Sequence, residues 1–112
     1  MLNQVILVGR LVEKPTKEKV EEKNITQITL AVPRSYKNAD GEYETDFIDC
    51  TLWNEIADNV CEWCDKGDLI GIKGRIEQVL IGDDESKLRD MRIIAEKVTF
   101  LSSKVNKKTK DE

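Results

Sequence analysis

The chain has 112 residues, 36% of them charged, and a formal net charge of −4. That length supports one domain with a single core. No run of about 18 apolar residues is present, which excludes a membrane-spanning helix, and the acidic balance argues against a dedicated phosphate binder, which is usually basic.

The charge is unevenly spread. The segment from Ser102 carries Lys104, Lys107, Lys108 and Lys110 against Asp111 and Glu112, so the first 101 residues hold −6. Local distribution, more than the total, decides what a surface attracts. The N-terminus M-L-N-Q-V-I-L-V-G-R lacks the basic start and small-residue cleavage site of a signal peptide. Three cysteines cannot all pair within one chain, which fits a reducing compartment. A cytoplasmic protein is expected.

Leu2 to Val12 reads as a strand with apolar residues on both faces, Val5, Leu7 and Leu11 on one and Leu2, Ile6, Val8 and Val12 on the other. A strand half exposed to water alternates apolar with polar, so this one is central in the fold or covered by another subunit. Gly9 marks a bend or bulge within it. Glu13 to Asn24 is dense in charge and poor in apolar residues, and reads as a solvated hairpin loop.

Ile25 to Arg34 alternates again, with Ile28, Leu30 and Val32 on one face and Thr29 and Ala31 on the other; Pro33 is expected to close the strand. Arg34 to Glu44 reads as a loop with a turn at Asp40-Gly41. It gathers Arg34, Tyr36 and Lys37, a set able to hold a phosphate and stack a base, or an ordinary polar loop. In Thr45 to Trp53, Ile48, Cys50 and Leu52 point one way and Phe47, Asp49, Thr51 and Trp53 the other. Two aromatics on a polar face suit planar ligands that stack, nucleic-acid bases foremost. Covering a second layer or a subunit contact is the alternative.

Asn54 to Gly67 carries the helical signal. Ile56, Val60 and Cys64 follow four-residue spacing, with Asn54 placed as the N-terminal cap and Gly67 as the C-terminal cap. Cys61 and Cys64 form a C-x-x-C pair near the helix C-terminus, where the dipole opposes a thiolate. Structural zinc needs four ligands, and the chain has no His and only Cys50 besides. The pair is read as packing, and no metal or cofactor is expected.

Asp68 to Ile81 is a long strand, with Ile70, Ile72 and Ile76 opposite Lys73, Arg75 and Glu77. Gly71 and Gly74 would permit the bending of a small closed barrel. Gly82 to Lys87 reads as a solvated acidic turn, Leu88 to Leu101 as the final strand, and 102–112 as a short Lys-rich disordered tail.

Five strands with one helix between the third and fourth match an all-β, five-stranded Greek-key barrel of the oligonucleotide/oligosaccharide-binding type (OB-fold) over residues 1–101. In such barrels the face around strands two and three binds nucleic acid, and Phe47, Trp53, Thr29 and Ala31 fall there.

The chain also resembles the bacterial-type single-stranded DNA-binding proteins from Met1 to about Leu101. The landmarks are N-Q-V-I-L-V-G-R-L at Asn3 to Leu11, I-T-L-A-V at Ile28 to Val32 and D-F-I-D-C-T-L-W at Asp46 to Trp53. A-D-N-V at Ala57 to Val60 and K-G-D-L-I-G-I-K-G-R-I at Lys66 to Ile76 complete the series. The resemblance implies a barrel that coats single-stranded DNA in replication, recombination and repair. It also implies a homotetramer, with a dimer as the smaller option. First strands would pair between subunits, placing Gln4, Val5, Ile6, Leu7 and Val8 at the interface.

Carried over by position, the family's stacking aromatics fall on Tyr36, Phe47 and Trp53. A further aromatic of some members falls near Ile81, which is aliphatic, and the often Arg-rich hairpin reads Glu77, Gln78, Val79, Leu80, Ile81. Many members end in an acidic, Phe-terminated tip. This chain reads Lys110, Asp111, Glu112 at that place, which puts tip-mediated recruitment of replication proteins in doubt. These departures point to an accessory copy or one carried by a phage or mobile element.

The expected mechanism is binding without chemistry. Bases stack on Tyr36, Phe47 and Trp53, and phosphates meet Arg34, Lys37, Lys66, Lys73, Arg75 and, more weakly, Arg10. About five neutralised phosphates would give a log-affinity against log-salt slope near −3.5. Two alternatives are a primosome-type barrel working through protein partners and an RNA-binding barrel, because stacking does not distinguish ribose from deoxyribose. No nucleophile motif or phosphate-cradling glycine loop suggests an enzyme.

Overall fold

The structure is a computed structural model that describes residues 1–102. Its elements are β1 (Val5–Leu11), β2 (Glu18–Val20), β3 (Lys23–Lys37), β4 (Tyr43–Trp53), α1 (Asn54–Trp63), β5 (Leu69–Ile81) and β6 (Leu88–Ser102). Five strands follow one another as β1-β5-β6-β4-β3, and β3 returns to β1 through the pairs Arg10 with Ala31 and Leu11 with Leu30, closing the ring. Neighbours are antiparallel except β4 and β6, which run parallel at Cys50–Ile93 and Thr51–Ile94. This is the all-β OB-fold barrel expected, with its helix between the third and fourth barrel strands.

Alternation supplies the core. Leu11, Ile28, Leu30, Cys50, Leu52, Ile70, Ile72 and Ala95 project inward from the five strands and are buried together. Ala57, Val60 and Cys64 join them from α1 and its C-terminal flank, on the stripe that four-residue spacing produces. Burial pushes the Cys50 thiol up to about 12, helped by the charge of Asp49, so it stays a neutral core group at physiological pH. Cys64 is fully buried and Cys61 half-buried, so the C-x-x-C pair serves mainly as packing.

Closing so small a ring requires close backbone approaches, at Gly9 against Ala31 O and more tightly at Gly74. A methyl group added at Gly74 would fall onto the carbonyl oxygen of Ile94, whereas one at Gly71 would meet only ordinary contacts at 3.7 Å. The β5–β6 register shifts between Lys73 and Gly74, and beyond it the two strands continue as a hairpin to Ile81 and Leu88. Asn3 adds one rung beside this point: its side-chain amide donates to Ile76 O at 2.8 Å and accepts from Ile76 N at 2.9 Å.

Several local expectations are corrected. Part of the charged Glu13–Asn24 loop forms β2, which pairs back on β3 through a two-residue turn at Glu21 and Glu22, both with positive φ. Pro33 does not end its strand, because β3 continues to Lys37 through a register shift against β4. Asn54 is not the helix cap: Trp53 occupies that position without a side-chain cap bond, and Asn54 has φ +53. The helix ends at Trp63, so Gly67 (φ +89) lies in the following turn, its N–H donating to Leu11 O at 2.8 Å. The final strand reaches Ser102; the rest of the Lys-rich tail lies outside the described residues.

Candidate nucleic-acid interface

The β3–β4 register builds the face. Ala31 lies opposite Phe47 and Thr29 opposite Asp49, and Arg10 on β1 lies opposite Ala31. Arg10, Ala31 and Phe47 therefore form one row across the outer wall. Ala31 is small, so the Phe47 ring stands clear of its neighbour at 66% exposure. The Thr29 hydroxyl donates to Asp49 Oδ1 at 2.7 Å, fixing a carboxylate beside the ring.

Trp53 shares the strand face of Phe47, six residues and about 20 Å away along the strand. It is half-buried opposite the buried Ile25, and Thr51 between them is 1% exposed. Phe47 is thus openly presented, while Trp53 offers only part of its ring where β4 enters the helix. Tyr36 is exposed on β3, within the register shift between Pro33 and Lys37. Its neighbour Lys37 is the register partner of Tyr43 and shares that face.

Sequence reasoning missed Tyr43. It is exposed, lies on the strand face of Phe47 and has Lys37 Nζ 5.7 Å from its ring centroid. The signal was present: Tyr43, Thr45 and Phe47 carry the alternation two residues further back than the stretch first recognised.

The cations divide into committed and available groups. Arg34 donates through Nε to both oxygens of Asp46 (3.1 and 3.2 Å), through Nη2 to Asp46 (2.9 Å) and through Nη1 to Glu44 (2.6 Å). The hydrogen bond to Asp46 raises the Arg34 pKa further and holds the Asp46 carboxyl below its usual range. Asp46 points to the strand face opposite Phe47, so Arg34 is turned away from the aromatic row. Arg75 is similarly engaged, with Nη1 2.6 Å from Glu77 and Nε 4.0 Å from Glu96. Its hydrogen bond lowers the Glu77 pKa.

Arg10 remains in the Phe47 row, with Nη1 donating to Gly67 O at 3.0 Å. Lys37 flanks Tyr43, and Lys66 is exposed in the turn after the helix. Lys73 lies elsewhere, opposite Ile6 on one side and Lys97 on the other. Among the described residues Lys37, Lys66 and Lys73 have no carboxylate within ion-pair distance. Arg10 is likewise without a carboxylate at ion-pair distance, so Arg10, Lys37 and Lys66, three of the six expected phosphate contacts, are free of a competing acid on or near the aromatic side, with Lys73 free elsewhere.

Of the residues expected between subunits, Ile6 and Val8 point outward at 71% and 49% exposure. Val5 and Leu7 turn inward and are half-buried, and Gln4 is exposed just before β1. β1 meets β3 only at Arg10 and Leu11, so Val5 to Val8 have ladder partners on the β5 side alone.

Comparison with known proteins identifies relatives over nearly the whole chain. The model of the single-strand binding protein family matches residues 2–101. The chain is 39% identical over 113 residues to single-stranded DNA-binding protein B of Bacillus subtilis, covering 99% of this chain and all of that protein. It is 41% identical over 111 residues to single-stranded DNA-binding protein 3 of Listeria innocua, covering 95% of this chain and 68% of the relative. Single-stranded DNA-binding protein 1 of Clostridium acetobutylicum is 34% identical over 106 residues, covering 92% and 96%. A closed OB barrel whose residues 2–101 match the family model, with relatives 34–41% identical over most of its length, places the chain in the single-strand binding protein family.

Proposed function

We propose that this protein binds single-stranded DNA, largely without regard to sequence, and protects it during replication, recombination and repair. The observation that carries the reading is Phe47, an exposed ring standing over Ala31 on the β3–β4 wall of an OB barrel. Bases stack on Phe47, on the open part of Trp53 and on Tyr43, with Tyr36 serving the strand as it leaves the face. Arg10, Lys37 and Lys66 meet phosphates. Each stack contributes roughly 1–3 kcal/mol and tolerates any base, because every base has a π-face. The activity is binding without chemistry, in the cytoplasm; among the described residues no helix is long and apolar enough to cross a membrane.

The test is a titration with oligo-dT followed by tryptophan fluorescence. Stacking on Trp53 quenches the native protein, and Trp53→Ala loses most of the quench, leaving the background of Trp63. No quench and no binding at low salt would contradict the reading and favour a barrel that works through protein partners.

We also propose self-association through β1, as a homotetramer built from pairs. The support is the exposed apolar pair Ile6 and Val8 beside a strand edge open from Val5 to Val8. Pairing with a second copy would satisfy those backbone groups and cover both side chains. Sedimentation equilibrium should return a multiple of the 12.8 kDa chain mass; a monomer at micromolar concentration would refute it.

A further inference from the structure

The β3–β4 ladder is interrupted where the two strands leave the barrel. Its register runs unbroken from Ile25–Trp53 to Pro33–Thr45 and resumes only at Lys37–Tyr43. Residues 34–36 of β3 therefore stand against Glu44 alone on β4. Pro33, at the last rung before the gap, has no N–H to donate. Beyond the gap the arm presents Tyr43. Its tip is closed by its own turn: the Asn38 N–H donates to Glu42 O at 2.8 Å, and Asn38 Oδ1 accepts from the N–H groups of Asp40 and Glu42.

Side chains bridge the gap from behind. Glu44 and Asp46 lie two residues apart, so both project to the strand face opposite Tyr43, Thr45 and Phe47. Arg34 spans them, with Nε and Nη2 on Asp46 and Nη1 on Glu44 Oε2 at 2.6 Å. Glu44 Oε1 accepts in turn from Asn38 Nδ2 at 3.5 Å, which carries the contacts to the tip. A guanidinium can do this because its donors form a rigid fork, which a lysine ammonium lacks. The Arg34, Glu44 and Asp46 side chains are 37%, 51% and 46% exposed, so the cluster adds little to global stability. What it fixes is the local course of the arm.

We propose that Arg34 is a positioning residue for DNA binding: forked across Glu44 and Asp46, it staples the interrupted β3–β4 arm from behind and holds Tyr43 toward the bound strand. The proposal rests on the single-strand reading, and in it Arg34 acts through Tyr43 without touching DNA. It gives two surface carboxylates a positive part in binding a polyanion.

The experiment measures binding of the full chain to a labelled oligo-dT by fluorescence anisotropy at one fixed, low salt concentration. Arg34→Ala should bind about tenfold more weakly, the loss of one stack, while its melting temperature falls by no more than about 4 °C. Arg34→Lys should be weakened too, because it keeps the charge and loses the fork. The Glu44→Gln, Asp46→Asn double variant should bind about threefold more weakly, although loss of two negative charges would by itself attract the strand. Added to Tyr43→Ala, Arg34→Ala should weaken binding by less than about twofold more, because the ring it positions is gone. Native-like binding by Arg34→Ala or Arg34→Lys, tighter binding by the carboxylate variant, or an undiminished tenfold loss in the Tyr43→Ala background would overturn the staple while leaving single-strand binding intact. Failure of the native protein to bind would overturn the single-strand reading and the staple together.

Discussion

Replacing Phe47 with alanine should weaken oligo-dT binding about thirtyfold, equivalent to about 2 kcal/mol. The size follows from geometry. Phe47 is the most openly presented aromatic on its strand face, at 66% exposure against 58% for Tyr43 and a half-buried Trp53. Ala31 beside it offers a floor but no ring, so the lost stack has no substitute. The same exposure means that stability hardly changes, because little apolar area leaves the core. Phe47→Trp should retain or improve binding, since a larger ring stacks over more of the base. Isotherms of the three proteins against one oligomer provide the check, with thermal melts showing equal folding. An unchanged affinity in Phe47→Ala would move the binding surface away from this wall.

The second large effect concerns the barrel itself. Gly74→Ala should lower stability by about 3 kcal/mol, near the upper end for overpacking a well-filled site. For a domain of this size that is a fall in melting temperature of about 13 °C. The obstacle is the Ile94 carbonyl, which is backbone and cannot rotate aside as a side chain would. The strain lands where the β5–β6 register shifts, so relief would require the two strands to part. Gly71→Ala, three residues earlier on the same strand, meets the Leu101 and Val8 side chains at ordinary distance. It should change stability by no more than about 0.5 kcal/mol. Calorimetry on both variants separates close approach from any general intolerance of side chains in β5. Equal melting temperatures would show that the ring closes without needing Gly74.

Most barrel strands were legible because they obey period two over enough residues to exclude a helix; the first, apolar on both faces, was legible as an unbroken run of strand-forming residues. Ile28, Leu30 and Val32 against Thr29 and Ala31 is one example, and Phe47 to Trp53 is another. The aromatic wall was legible for the same reason. What escaped depends on register and on backbone dihedrals. Glu21-Glu22 gives no compositional sign of a turn, yet both residues adopt positive φ and create β2. Pro33 looked like a stop, but the register shift that follows lets β3 resume beyond it.

Arg34 is the instructive case at the site. Its closeness in sequence to Tyr36 and Lys37 suggested a phosphate contact. Folding β3 against β4 instead brings Asp46 and Glu44 onto its guanidinium from twelve and ten residues away. Which carboxylate meets which cation depends on the hairpin register, and the charged loop from Arg34 to Glu44 does not declare it. Arg75 is lost to Glu77 in the same manner. These pairings change the expected electrostatics from about five phosphate contacts to about three, supplied by Arg10, Lys37 and Lys66.

The proposed mode of binding, single strands held on an acidic barrel mainly by stacking, predicts a weak dependence on salt. The most direct measurement is the affinity for one short oligo-dT as a function of salt. Three phosphate contacts give a log–log slope of about −2, with measurable binding left near molar salt. A slope steeper than about −4, or binding that vanishes at moderate salt, would show that phosphate contacts carry the affinity and would contradict the account.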